Sequence, residues 1–145
     1  LRIVGEGYTD TRILQKVKEY GLENQFELCS FTSKIQDYYL SSSIFTLTSV
    51  FEGFGLVLVE AESMGLPLVS YACPCGPRDI ITEGKDGFLV EPGDQKTFAA
   101  RLRTLIEDED LRHQMGQAAK LNSERFSLDN VMKQWEALFA ELTTK

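Results

Sequence analysis

Short apolar runs alternate along this chain with segments of helical period, and this alternation constrains the fold more than any other feature. Runs at residues 1–4, 26–31, 44–48, 68–71 and 87–90 read as strands. Segments at 9–20, 35–40 and 55–64 read as helices between them, with at most a short helical turn at 78–81. Strands joined by helix-length crossovers run parallel, and a right-handed crossover returns each helix to the sheet. The expected fold is therefore α/β: a Rossmann-like, doubly wound parallel sheet of about five strands with helices on both faces.

Three C-terminal helices should follow. Asp94, after Pro92-Gly93, is placed as an N-cap, and Phe98, Leu102, Leu105 and Ile106 share one face at helical spacing. Leu111, Met115 and Ala118 form a second stripe. Ser127 caps a last helix whose apolar face is Val131, Trp135, Leu138, Phe139 and Leu142. Stripes of this kind read as core, with Trp135 as a packing anchor. No repeat or linker-like tract divides the chain, so residues 1–145 read as a single domain. The chain opens on a strand without an initiator Met, which points to an excised piece of a longer protein.

Charge and side-chain inventory narrow the function. Lys and Arg number 15 against 22 Asp and Glu, a net charge of −7, and the basic residues are scattered. Nucleic-acid binding, which depends on clustered cations, is disfavoured. The apolar stretches at 44–51 and 54–59 are too short to span a bilayer, and there is no secretory leader pattern. Three cysteines, Cys29, Cys73 and Cys75, lack a disulfide framework's spacing and imply a reducing, cytoplasmic compartment. The only histidine, His113, lies far along the chain from Cys73 and Cys75 and stands between charged neighbours on a surface helix, so Ser-His-Asp chemistry and His-rich metal sites are not expected.

The informative segment runs from Ser49 to Pro67, where the third strand gives way to a helix at the carboxyl edge of the sheet, the usual ligand edge of open α/β sheets. Gly53 and Gly55 leave bare backbone at the helix start, where N–H groups and the helix dipole favour a phosphate. Glu52 can cap those N–H groups or accept from a ligand's hydroxyls. Glu60 lies among Leu56, Val57, Val59, Ala61 and Met64. Pointing inward it needs a partner, for which a vicinal diol is suited, and otherwise it snorkels outward beside Glu62.

Glu52 and Glu60, with Gly53-Phe54-Gly55 after the first and Gly65-Leu66-Pro67 after the second, form a pattern that resembles the E-x7-E signature of retaining glycosyltransferases of family 4, of GT-B architecture. Ile3 to Gly7, Tyr38-Tyr39, the segment from Gly84 to Asp94, and Leu111 to Gly116 fall in the same family's order. The resemblance covers essentially the whole chain. It implies the C-terminal, nucleotide-sugar-binding half of such an enzyme, lacking its first strand and helix and the N-terminal acceptor domain. By the same resemblance Glu52 is the catalytic position and contacts donor-sugar hydroxyls. Gly53, Phe54, Gly55 and Leu56 meet the sugar and diphosphate, and Glu60 holds the ribose. Thr32 is a base contact, and Gly5 and Gly7 form a turn that serves either the diphosphate or the chain alone. No metal and no cofactor are implied.

The implied substrate is a nucleoside diphosphate sugar, a UDP- or GDP-sugar, and the implied reaction is retaining transfer of a hexosyl group to a glycan or lipid-linked acceptor in polysaccharide biosynthesis. The location implied is the cytoplasm, at the inner face of the membrane if the intact protein makes peripheral contact, with residues 1–145 alone inactive. The chain departs from the pattern at Ser30, where a Gly is usual, and at Cys75-Gly76-Pro77-Arg78-Asp79, where Asp79 replaces a Glu. That variant is similar to bacterial surface-polysaccharide enzymes of the family. Arg78 faces an anionic acceptor or solvent. A non-catalytic nucleotide-binding or interaction module of the same fold is the alternative that the residues alone leave open.

Overall fold

Every run read as a strand forms one, in a computed structural model that describes residues 1–5 and 11–143. Two compact units are present, Leu1–Ile35 and Gln36–Lys145. In the first, β1 (Arg2–Val4) pairs in parallel with β2 (Glu27–Cys29), Ile3 opposite Leu28, and α1 (Thr11–Glu19) lies between them in sequence. The Leu1 ammonium donates to the Gln25 carbonyl at 2.7 Å, extending the contact past the end of the ladder.

In the second unit β3 (Phe45–Leu47), preceded by α2 (Ile35–Leu40), pairs in parallel with β4 (Leu68–Tyr71), which pairs in parallel with β5 (Gly87–Val90). The expected parallel strands thus fall into a two-stranded and a three-stranded sheet, with β4 central in the latter. All four residues of β4 are buried, as a strand covered on both faces requires. The connecting helices are α3 (Leu56–Ser63) and the short α4 (Pro77–Ile80), and α5 (Gln95–Glu107), α6 (Glu109–Ser123) and α7 (Leu128–Thr143) close the chain. Val69, Phe88, Leu105 and Met115 make the core against α5 and α6, with Ile44, Phe98 and Leu111 packed around them.

Side-chain caps set the ends of the closing helices. Asp94 accepts from the Thr97 N–H at 3.0 Å, and Asp108, which the sequence reading did not single out, accepts from the Leu111 N–H at 2.9 Å. Ser127 accepts from the Asn130 N–H at 3.4 Å. Arg112 reaches back from α6 to donate to the Leu105 and Ile106 carbonyls, groups that the end of α5 would otherwise leave unpaired.

The stripe on α7 is not core within this chain. No residue of α7 is buried, and Trp135 is 49% exposed, its ring tilted against Phe139 at 5.7 Å, its one aromatic partner among the described residues. Helical period reveals an apolar face and says nothing of what covers it.

Gly116 on α6 packs against the backbone at Gly65, just past the end of α3. A Cβ there would lie 2.3 Å from the Gly65 carbonyl oxygen. Gly116→Ala should therefore lower stability by about 1–3 kcal/mol through overpacking, read as a lower urea midpoint with an unchanged slope.

Candidate functional site

The segment after β3 runs through an open loop into α3, and five of the candidate residues are contiguous there. Gly55 is the N-cap of α3 with φ +86°, and no side chain caps the helix, so Glu52 does not act as an N-cap. The Leu58 N–H turns back to the Gly55 carbonyl at 2.9 Å. The first N–H groups of α3 thus have no side-chain acceptor among the described residues, and the positive end of its dipole faces the loop. Glu52 is half-buried, its Cγ folded over Gly55. Gly53 has open space where a side chain would stand, and Leu56 at the first helical position is exposed.

Glu60 lies one turn further along α3 and is exposed. It points outward, as the second of the two alternatives has it, although Glu62 does not accompany it to the surface and the carboxylate is held by a partner. The buried Tyr39 hydroxyl donates to Glu60 Oε2 at 2.9 Å. The two acidic residues instead have opposite environments, for Glu62 is completely buried while Glu60 meets solvent. Glu62 lies with Leu58 and Ala61 on the inward face of α3, an i, i+3, i+4 set legible in the sequence that the reading around Glu60 passed over.

Two further residues hold the loop. Phe54 is 39% exposed and packs edge-on against Phe126, centroids 5.6 Å apart at 78°. Gly76, with φ +85° and ψ −77°, lies so close under Phe54 that a Cβ on it would come 1.9 Å from the Phe54 carbonyl oxygen. The Gly76 N–H in turn donates to Asp79 Oδ2 at 3.2 Å. The departure at residues 75–79 is therefore a support beneath Phe54. Arg78 is exposed and so meets solvent, and it is also tied in place: Nε donates to the Ala72 carbonyl at 3.1 Å and Nη2 pairs with Glu91 at 2.8 Å.

The remaining candidates belong to the first unit. The Gly5 N–H donates to the Cys29 carbonyl at 3.1 Å, so this amide is already engaged by the β1–β2 ladder. Gly7 lies outside the described residues. Thr32 is half-buried, and its hydroxyl oxygen accepts from the Lys34 N–H at 3.0 Å, a local turn. Cys73 is buried and Cys75 exposed, both as free thiols. No helix among the described residues is long and apolar enough to cross a membrane. A surface depression along Thr104, Glu107, Asp108, Glu109 and Asp110 is acidic and would repel a diphosphate.

The family described as glycosyl transferases group 1 matches residues 1–122. The amylovoran biosynthesis glycosyltransferase AmsD of Erwinia amylovora is 38% identical over 135 residues, which cover 93% of this chain and 38% of that protein. The poly(ribitol-phosphate) alpha-N-acetylglucosaminyltransferase of Staphylococcus aureus is 28% identical over 94% of this chain and 28% of its own length. Among solved structures, Anabaena HepE in complex with UDP superposes with a TM-score of 0.86 at 26% identity, over 97% of this chain and 40% of that one. HepE in complex with UDP-glucose gives 0.84 at 27% identity. The chain thus spans well under half the length of these relatives. Because the family match runs over residues 1–122, most of the chain and the whole Glu52 to Glu60 segment, this protein belongs to the glycosyl transferases group 1 family, with the Rossmann-like fold of a GT-B C-terminal domain.

Proposed function

We propose that this chain binds a nucleoside diphosphate sugar at the loop before α3, and that the intact protein transfers the hexosyl group, with retention at the anomeric carbon, to a glycan or lipid-linked acceptor hydroxyl in polysaccharide biosynthesis. The observation that carries the reading is the uncapped start of α3, flanked by the half-buried Glu52 and the exposed, tethered Glu60. The complexes of HepE with UDP and with UDP-glucose support a uridine donor.

In this reading each part answers to one group of the donor. The Gly53 to Leu56 backbone receives the diphosphate, whose charge grows as the glycosidic bond breaks, so fixed N–H dipoles lower the barrier without reorganising. Glu52 accepts from hydroxyls of the sugar and stabilises positive charge developing at the anomeric carbon. Glu60 accepts from both ribose hydroxyls. Thr32 as a base contact, and Gly5 and Gly7 at the diphosphate, are proposed on the resemblance alone. The protein works in the cytoplasm in this reading, against the inner membrane face when the acceptor is lipid-linked.

Glu60→Ala removes two charge-assisted hydrogen bonds and should weaken nucleoside diphosphate binding by roughly 10- to 100-fold, measured by calorimetry on the intact protein. Glu52→Ala should instead erase the preference for the sugar-bearing donor over the bare diphosphate. Undiminished affinity in both variants would refute the assignment.

A further inference from the structure

The hydroxyl of Tyr39 is buried, yet it touches the one exposed carboxylate of α3, and nothing about packing requires that contact. The ring is 6% exposed and tilts against Phe45 with centroids 5.8 Å apart. The end of α2 that carries it is pinned by two further hydroxyls: Ser41 donates to the Asp37 carbonyl at 2.8 Å and Ser42 to the Tyr38 carbonyl at 2.6 Å. A phenylalanine would fill the same space. What tyrosine adds is a donor in a fixed place, 2.9 Å from Glu60 Oε2, while Oε1 accepts no hydrogen bond among the described residues.

We propose that Tyr39 is a positioning residue for the donor: it fixes the Glu60 carboxylate through Oε2, so that this side chain meets the ribose diol in one prepared geometry. The inference rests on the reading of Glu60 as the ribose ligand and goes beyond it by naming what orients that ligand. An exposed glutamate loses rotamer freedom on binding, and a fixed partner removes most of that cost in advance. Burial, the hydrogen bond to Glu60 and the charge of Glu60 all push the Tyr39 hydroxyl above its ordinary value, so it remains a donor throughout the physiological range. Glu60 is exposed and can be rehydrated when the hydroxyl is removed, so Tyr39→Phe should fold with a thermal midpoint close to that of the parent.

The test compares UDP and GDP with their 2′,3′-dideoxy counterparts, by calorimetry on the intact parent, Tyr39→Phe and Glu60→Ala proteins. Tyr39→Phe should weaken the ribose-bearing nucleotide about tenfold and the dideoxy nucleotide less than about twofold, as loss of one hydrogen bond to a charged group predicts. With a sugar-bearing donor, KM should rise while kcat stays nearly unchanged, since ribose contacts serve ground state and transition state alike. Equal weakening of both nucleotides would reduce Tyr39 to a packing residue and overturn the proposal. A Tyr39→Phe protein indistinguishable from the parent, while Glu60→Ala abolishes the ribose preference, would overturn it and leave the ribose reading standing. A parent that binds both nucleotides equally well would overturn the ribose reading and this inference together.

Discussion

Replacing Gly76 by alanine is expected to cost roughly 3–5 kcal/mol of stability and to displace the loop before α3 in any molecule that still folds. Two independent penalties meet at this residue. Its φ of +85° with ψ of −77° is a backbone state that a Cβ strains, and the added carbon would come 1.9 Å from the Phe54 carbonyl oxygen and 2.5 Å from its carbonyl carbon. The obstacle is backbone, so no rotamer change relieves it. Either the turn before α4 moves, taking with it the Gly76 N–H bond to Asp79, or the Glu52 to Gly55 segment lifts off its support. Denaturant midpoints should fall sharply, and the remaining folded protein should bind nucleoside diphosphates less tightly than the parent. By contrast, Gly53→Ala meets open space and should fold normally. Equal stability for Gly76→Ala and the parent would show that the close approach is absent in solution.

The second large effect is a stability that falls as pH rises, arising from Glu62. This carboxyl is completely buried. Asn122 donates to its Oε1 at 3.1 Å, and its Oε2 has no hydrogen-bond partner among the described residues. Burial pushes it up to about 7, with the negative charge of Asp86 adding to the shift and the Asn122 bond and Arg125 opposing it. In the unfolded chain Glu62 ionises near its ordinary value of 4.5, while in the folded chain it keeps its proton up to about 7. Between those two values the folded state holds more protons than the unfolded one, so stability declines with rising pH, by about 3 kcal/mol in total for this group. Asp86, also raised chiefly by burial, acts in the same direction. Glu62→Gln removes the ionisation while keeping an acceptor for Asn122. The variant and the parent should be nearly equal in stability at pH 4, and the variant should gain on the parent progressively to pH 8. Other titrations cancel in that difference. A difference that stays flat with pH would contradict the raised value.

What the sequence made legible follows from the kind of information each feature carries. β4 and β5 coincide residue for residue with the runs at 68–71 and 87–90, because both are apolar and bounded by turn residues. Asp94 and Ser127 were readable as caps because capping is a local interaction. The contiguous Glu52 to Leu56 segment was readable for the same reason. The contacts that order this segment are not local. Tyr39 lies 21 residues before Glu60, Gly76 lies 22 residues after Phe54, and Phe126 lies 72 residues after it, and no periodicity connects such pairs. Trp135 marks a different limit. Its stripe was recognised correctly as apolar, yet the residues that would bury it are not among those of this chain that pack on α7. Glu62 was misjudged although its burial was encoded, since the phase Leu58, Ala61, Glu62 sets it inward and Glu60 outward.

The most direct measurement is a titration of the intact, isotope-labelled protein with UDP-glucose, GDP-mannose, ADP-glucose and the three bare diphosphates, following the amide signals of Gly53, Gly55 and Glu60. Saturable shifts of these amides are expected with one nucleotide series, strongest for the sugar-bearing member and lost in Glu60→Ala. Saturable binding that leaves all three amides unmoved would place the donor elsewhere and contradict the central claim.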